Sequence, residues 1–284
     1  MNEEKITNMA RTHLHFRTWV GLFVLIGLIF VFLRAGLWQL DRAHTRDSNA
    51  IAIQEAQDKP QLPFKDIMEA LASHQQADAF YWRQARVHGH WLHQFTLFID
   101  NRNHNGVPGF WVATPLQTDT DQAVLVLRGW LPRDHVLEPT SPQEAVQTSL
   151  LNTLSAANST VTIQGEVYPH VPRVFELWRW AGGQKTPLKT LLDQASAPAI
   201  VSNLSLNELD NALPVALAPV AVAQTSTSHT LPDMVQDWPH PSSDADTNRG
   251  YALQWFSFSA IAAVISLAWL IKLWRRSHQQ KDTR

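Results

Sequence analysis

The sequence predicts an α+β membrane protein in which two transmembrane helices flank a mainly antiparallel β domain, a sheet or a small barrel, on the exported side. Three observations predict it. Uncharged apolar stretches, Trp19–Leu33 and Tyr251–Ile271, stand near opposite ends of the 284-residue chain. Between them the hydrophobic pattern changes from helical spacing to a period of two. The charge balance of that middle stretch has the opposite sign to the chain ends.

Tyr251–Ile271 carries no formal charge over 21 residues, and at about 1.5 Å rise per residue it covers a hydrocarbon core of about 30 Å. The second span is accordingly placed at 250–271. The first stretch has 15 uninterrupted residues, and it reaches spanning length through Ala35, Gly36, Leu37, Trp38 and Leu40 if Arg34 snorkels toward the head groups. The first span is therefore placed at 19–40. A cleaved secretory signal is the rival reading, because Lys5, Arg11 and Arg17 form a basic region before the apolar run. Arg34-Ala-Gly-Leu-Trp-Gln offers no small-x-small cleavage site, which favours an uncleaved anchor.

Charge sets the orientation. Residues 1–18 carry three Lys or Arg against two Glu, and residues 272–284 carry five against Asp282. The segment 41–249 carries 14 Lys or Arg and 22 Asp or Glu, a net charge of −8. Lys and Arg accumulate on cytoplasmic flanks, so both tails are expected in the cytoplasm and 41–249 outside it. That is an inner (plasma) membrane protein with a periplasmic domain, or its mitochondrial counterpart facing the intermembrane space. The acidic middle segment argues against nucleic acid as a partner. With no cysteine in the chain, the domain cannot rest on disulfides and has no thiolate for Cu(I).

Within the loop, Ala43–Gln57 lacks Pro and Gly and reads as the first helix continuing out of the membrane, ended by Pro60 and Pro63. Phe64–Leu71 reads as a short amphipathic helix with Ile67, Met68 and Leu71 on one side. Arg83–Trp91 alternates Ala85, Val87, Gly89 and Trp91 with polar residues, the pattern of a half-buried strand. Phe95–Ile99, Phe110–Thr114, Val124–Leu127, Val161–Val167 and Val215–Val222 follow at strand length. Turn formers occupy Asp100–Gly106, and Pro115 is expected to end its strand because it cannot donate to a ladder. Arg128–Pro132 reads as a sharp strand exit. The stretches near 138–160 and 184–214 are Ser, Thr, Ala, Asn and Pro rich and read as surface excursions, with a short helix at Leu188–Gln194.

His88, His90 and His93 form the densest histidine group. His-x-His on a strand is half of a metal site, but no third ligand accompanies it, so solvated polar-face histidines are the reading taken and no metal is assigned. There is no Gly-x-Ser-x-Gly elbow, phosphate loop or His-Glu-x-x-His, and no catalytic residue is assigned. Six of the 12 tryptophans lie in or near the spans, where an interfacial belt accounts for most of them. Trp38, Trp238, Tyr251 and Trp255 are expected together at the exported face, where they could meet a flat apolar ligand or a partner's membrane helix.

Several motifs, taken in order, resemble one family. Gly36-Leu-Trp-Gln-Leu-Asp-Arg42 leaves the first span. Asp100-Asn-Arg102, Gly109-Phe-Trp-Val-Ala-Thr-Pro-Leu116, Leu125-Val-Leu-Arg-Gly-Trp-Leu-Pro132 and Gly165-Glu-Val167 fall in the strand region. Trp238-Pro-His-Pro241 and Asn248-Arg-Gly-Tyr-Ala-Leu-Gln-Trp-Phe256 lead into the second span. From residue 17 to about 272 the chain resembles the Surfeit-locus family of cytochrome c oxidase assembly factors. The resemblance implies a non-enzymatic membrane protein that assists maturation of the haem-copper oxidase catalytic subunit, at the haem a insertion step. It implies that subunit, the haem a synthesis machinery and membrane lipids as partners. Contacts to client or haem are carried over to Trp38, Arg42, His240, Asn248, Arg249, Tyr251 and Trp255. The family pattern has histidine, the natural haem iron ligand, at the position of Asn248, and carboxamides ligate iron poorly. His240 is the nearby imidazole offered as a substitute. A membrane-tethered sensor with an exported ligand-binding domain is the alternative, and a membrane enzyme of porphyrin chemistry is a third.

Overall fold

The computed structural model describes residues 3–120, 122–133, 160–175, 186–194, 198–226, 234–241 and 244–279, with side chains from Thr18 to Arg275. The excursion expected near 138–160 lies outside them except for Thr160. The elements run α1 (Glu3–Gln57), β1 (Leu62–Pro63), α2 (Phe64–Ala72), β2 (Gln84–Trp91), β3 (Leu97–His104), β4 (Val107–Thr118), β5 (Ala123–Pro132), β6 (Val161–Tyr168), α3 (Leu188–Gln194), β7 (Ala199–Val201), α4 (Leu206–Asp210), β8 (Leu217–Gln224) and α5 (Ala245–Gln279). They fall into two compact units, one made of Met1–Ile51 and Pro241–Arg284 and the other of Ala52–His240.

In the helix unit, Thr18–Gln57 of α1 and Ala245–Arg275 of α5 are each long and apolar enough to cross a membrane. Their outward residues remain exposed, Phe23 at 78% and Leu253 at 69%, the surface that hydrocarbon covers and water penalises. The buried and half-buried positions on α1 include Leu22, Leu25, Ile29, Phe32, Gly36, Gln39 and Ala43. On α5 they include Ala245, Asn248, Ala252, Trp255, Ser259, Ala262 and Ser266. Both series step alternately by three and four, the seam of a left-handed helix pair. Small residues let the backbones approach, as expected where apolar burial gives no net drive in lipid. At Gly36 a Cβ would come within 2.5 Å of the Phe256 ring. Ser259 Oγ donates to the Ile29 carbonyl at 3.2 Å.

The second unit is built on a sheet ordered β1-β2-β6-β8-β5-β4-β3-β7, with an added β2–β4 pairing. Through that pairing, Gly89 to Thr118 and Trp91 to Leu116, the strands β2, β6, β8, β5 and β4 close into a five-stranded ring. Most ladders are antiparallel, as the alternating patterns predict. The β5–β8 ladder is parallel, and so are the short edges β1–β2 and β3–β7. Strand β5 is buried on both faces. Val124 and Val126 join Val87, Ile163, Val222 and the α2 residues Phe64, Ile67 and Met68 in one cluster, while Leu125 and Leu127 join Trp111, Tyr168, Ala223 and Trp238 in another. Near-continuous apolar runs such as Ala123–Leu127 are what two-faced burial requires.

Two strands outrun the boundaries expected of them. Strand β4 continues through Pro115 to Thr118 because the proline lies between Ala113, the last residue paired with β3, and Leu116, the first paired with β2. The ladder on that edge has no donor to lose there, and the Pro115 carbonyl accepts from Leu92 N at 2.9 Å. Nor is Arg128–Pro132 an exit. Strand β5 runs on to Pro132, and the register slips one residue between Val112–Gly129 and Ala113–Leu127, leaving Arg128 as a bulge. The turn expected over Asp100–Gly106 is confined to Asn105 and Gly106, whose φ values of 50° and 84° suit a two-residue hairpin. Asn101, at φ 60°, falls in the bulge between Ile99 and Arg102. In the segment expected as an excursion near 184–214, the structure adds β7 and α4 to the helix at Leu188–Gln194.

Candidate functional site

The seam of the helix unit becomes polar at one layer. Asn248 is 8% exposed, and its Nδ2 donates to Gln39 Oε1 at 2.6 Å. Asn248 Oδ1 has no hydrogen-bond partner among the described residues. A buried amide pair between helices fixes register, since sliding the seam would leave both amides unpaired. Beside this layer, the Arg249 guanidinium bonds Asp246 Oδ1 at 2.7 Å and also pairs with Asp47 Oδ2 on α1. Asp244 caps the start of α5 by accepting from Thr247 N at 3.2 Å and from Thr247 Oγ1 at 2.6 Å. Those two bonds, with Arg46 nearby, hold the Asp244 carboxyl below the usual carboxylate range.

An aromatic group flanks the seam. Phe32 stacks on Trp255 with centroids 5.8 Å apart, and Phe258 meets Phe32 and Trp255 at 5.7 and 6.0 Å. Trp38 and Tyr251 face outward, 59% and 51% exposed. Arg42 is exposed as well.

In the sheet unit, the segment 234–240 lies across the outer face of the ring. Val235 bridges Trp130, the Trp238 Nε1–H donates to the Gln224 carbonyl at 2.7 Å, and the Tyr168 hydroxyl donates to the Pro239 carbonyl at 3.1 Å. At its end, His240 Nε2 lies 3.0 and 2.9 Å from the two oxygens of Glu166. The Glu166 carboxylate is 3% exposed and also accepts from Gln57 Nε2 at 3.3 Å. The Trp82 ring lies 5.7 Å from the imidazole and 4.8 Å from Tyr168. Burial, with the charges of Glu166 and Asp237, pushes the Tyr168 phenol well above its ordinary value, so it acts here as a neutral donor.

Two arginines lie inside the same unit. Arg102 rests 4.6 Å from the Trp111 ring centroid and donates from Nη2 to the carbonyls of Pro172 and Ser202 at 2.9 and 3.3 Å. Arg128 rests 4.4 Å from the Trp91 ring centroid. Loss of water lowers the pKa of each to about 10, so both stay charged at neutral pH. Their role is to tie loops and rings together.

The residues that the sequence grouped are divided between the two compact units. Trp38, Arg42, Asn248, Arg249, Tyr251 and Trp255 belong to the helix unit, whereas His240 belongs to the sheet unit. Trp238 is no part of an aromatic surface group. It is 7% exposed in the sheet unit's core, edge-on to Trp111 at 5.4 Å. His88 Nδ1 and His90 Nε2 each lie 2.8 Å from a threonine hydroxyl, Thr162 and Thr160. Sequence reasoning missed Glu166 as a buried acid because it shares the outward phase of Thr162 and Gln164. His240 at the end of segment 234–240 and Gln57 cover it, and a period-two pattern carries no sign of that.

Fold and site together define a class: a closed β ring in one chain with two membrane-length helices. The chain belongs to the SURF1 family, whose model matches residues 26–260. It is 29% identical over 111 residues to a SURF1-like protein of Rickettsia bellii, covering 38% of this chain and 42% of the relative. It is 25% identical over 121 residues to the cytochrome oxidase assembly protein SHY1 of Saccharomyces cerevisiae, covering 41% of this chain and 30% of the relative. These matches span less than half the length of either relative.

The residues at the start of α5 do not fit an axial haem ligand. Asn248 is buried in the seam, and its amide nitrogen is engaged by Gln39. Its remaining oxygen is a weak donor to iron compared with imidazole. His240 has Nε2 bound to Glu166. No step is therefore assigned to haem bound at position 248.

Proposed function

We propose that this protein is a non-enzymatic assembly factor for the haem-copper cytochrome c oxidase, assisting maturation of the catalytic subunit at the stage of haem a insertion. The observation that carries this reading is the family match over residues 26–260, which includes the whole sheet unit and parts of both membrane-length helices. The yeast relative, a cytochrome oxidase assembly protein, supports it. The protein acts by holding its client. Trp38 and Tyr251, exposed on the helix pair, supply interfacial aromatic surface for a client helix or lipid, and Arg42 meets head groups. Arg249 serves mainly to hold α1 and α5 together through Asp47.

Both termini face the cytoplasm and the sheet unit is exported in this reading, supported by the basic flanks and the −8 charge between them. Reporter fusions at Arg284 and within the sheet unit test the orientation. Deleting the gene tests the function: haem a absorbance and catalytic-subunit levels fall together, and normal haem a content with normal oxidase activity overturns the proposal. Purified protein incubated with haem o leaves it unconverted; turnover would establish an enzyme instead.

A further inference from the structure

A cleft in the sheet unit lies apart from the Glu166–His240 pair and has no part in the assembly reading. It has a volume of about 350 Å³ and is lined by Pro63, Phe64, Lys65 and Met68 at the start of α2, Arg86 and His88 on β2, Thr162 on β6, and Thr118, Asp119 and Thr120 at the β4–β5 turn. That volume is in the range of small-molecule sites. Its position follows from the fold. Pro63 pairs with Arg86 in a parallel bridge, which sets the start of α2 beside Arg86, and His88 pairs with Thr162 across the β2–β6 ladder.

The chemistry of the lining is asymmetric. Its floor is apolar, because Phe64 and Met68 are 2% and 9% exposed and belong to the ring's inner cluster. Its polar groups mostly donate. Arg86 carries five N–H donors, and the hydrogen bond it makes is from Nη2 to Gln61 Oε1 at 3.2 Å. The Lys65 ammonium makes an exposed pair with Glu69 at 3.6 Å, an interaction worth little against water. When the Thr162 hydroxyl donates to His88 Nδ1, the His88 proton sits on Nε2 and adds another donor. The hydroxyls at the turn are already engaged, Thr118 donating to the Gln122 carbonyl at 2.9 Å and Thr120 Oγ1 lying 2.8 Å from Thr118 Oγ1. Asp119 is the acid in the lining. Two cations and an imidazole over an apolar floor suit a ligand that accepts hydrogen bonds at one end and is apolar elsewhere.

The geometry points to a binding site for a small amphipathic anion, its phosphate or carboxylate head taken by Arg86, Lys65 and His88 and its apolar body seated on Phe64 and Met68. Charge-assisted bonds to a guanidinium supply the selectivity, and the floor supplies the preference for an alkyl body over a bare ion.

The test is calorimetric titration of the full chain, reconstituted in nanodiscs of zwitterionic lipid, with hexyl phosphate, hexanoate, hexanol and inorganic phosphate. Saturable binding of hexyl phosphate or hexanoate is expected, with the tighter of the two identifying the head group, and with hexanol and inorganic phosphate each at least about tenfold weaker. Arg86→Gln weakens the bound anion by about tenfold and Lys65→Ala by a few-fold, whereas Asp119→Asn tightens it. His88 imidazole resonances shift on saturation in the parent chain. Thermal melts of the variants check that the ring is intact; because Arg86, Lys65 and Asp119 are exposed, the melts should match the parent. Absence of saturable anion binding, equal binding of hexanol, or an unchanged affinity in both Arg86→Gln and Asp119→Asn overturns the inference.

Discussion

The helix unit and the sheet unit are held together by opposite means. In the ring, bulky side chains are removed from water on both faces of β5 and β8, with Leu125, Leu127, Val220 and Val222 fully buried, and each such side chain contributes about 1.5–3 kcal/mol. In the helix pair small or polar residues, Gly36, Ala43, Ala252, Ser259 and Asn248, share the inward face with Leu22 and Phe32, while large apolar residues such as Phe23 and Leu253 point outward. Apolar burial drives association only where water is the alternative. Where lipid is the alternative, close packing, hydrogen bonds and charge decide which partner and which register. One chain thus needs two kinds of core.

The largest expected effect falls on the ring. Leu127→Ala should destabilise the sheet unit by about 2–5 kcal/mol, by lost transfer energy and a residual cavity. Denaturant unfolding followed by fluorescence of the buried Trp111, Trp130 and Trp238 measures it, and a loss under about 1 kcal/mol would break the contrast between the two units. His240→Ala comes next at about 1.5–3 kcal/mol, because it strips a charge-assisted partner from the buried Glu166 carboxylate. Glu166→Gln in the same background should recover part of the loss, since an amide tolerates burial better than an unpaired carboxylate.

Smaller effects belong to the helix pair. Asn248→Ala removes the bond to Gln39 and should weaken pairing by about 0.6 kcal/mol, the usual size for such bonds in a bilayer. The native chain has no cysteine, so a cysteine pair at positions 29 and 259 reports the change as a lower cross-linking yield. No change in the sheet unit's unfolding is expected. The smallest effect is the pH response of the α5 cap. Thr247 holds the Asp244 carboxyl below its ordinary value, so the cap is present above the ordinary carboxylate range and is lost as pH falls below it. Fraying of residues 245–248, followed by hydrogen exchange of their amides, should increase only on that acid side and should be constitutive in Asp244→Ala.

Much of this molecule was legible in its order of residues. The spans, the helix running out to Gln57, the amphipathic α2 and the six main strands each follow from a local period, and the breaks at Pro60 and Asn105-Gly106 follow from backbone restrictions of single residues. The strand limits were less legible. Pro115 ends a strand only if the edge its nitrogen faces needs the missing donor, and the handover from β3 to β2 on that edge removes the need. Arg128 reads as the start of a strand exit, yet it is a bulge within β5 and lies on Trp91. The candidate site was the least legible part. Its members were grouped by nearness to the spans in sequence, and that order carries no sign of the partners that hold Trp238 and His240, Gln224 and Glu166.

By itself the sequence determined the class of protein. Membrane-length apolar runs, charge sign and two-residue periodicity are local properties that each segment carries wherever it folds. The tertiary structure alone decided that the sheet closes, that β5 and β8 run parallel, that Glu166 is buried under His240 and Gln57, and that Asn248 faces Gln39. Each of those depends on two segments distant in sequence competing with water or lipid for the same surface, and no single segment encodes the outcome of that competition.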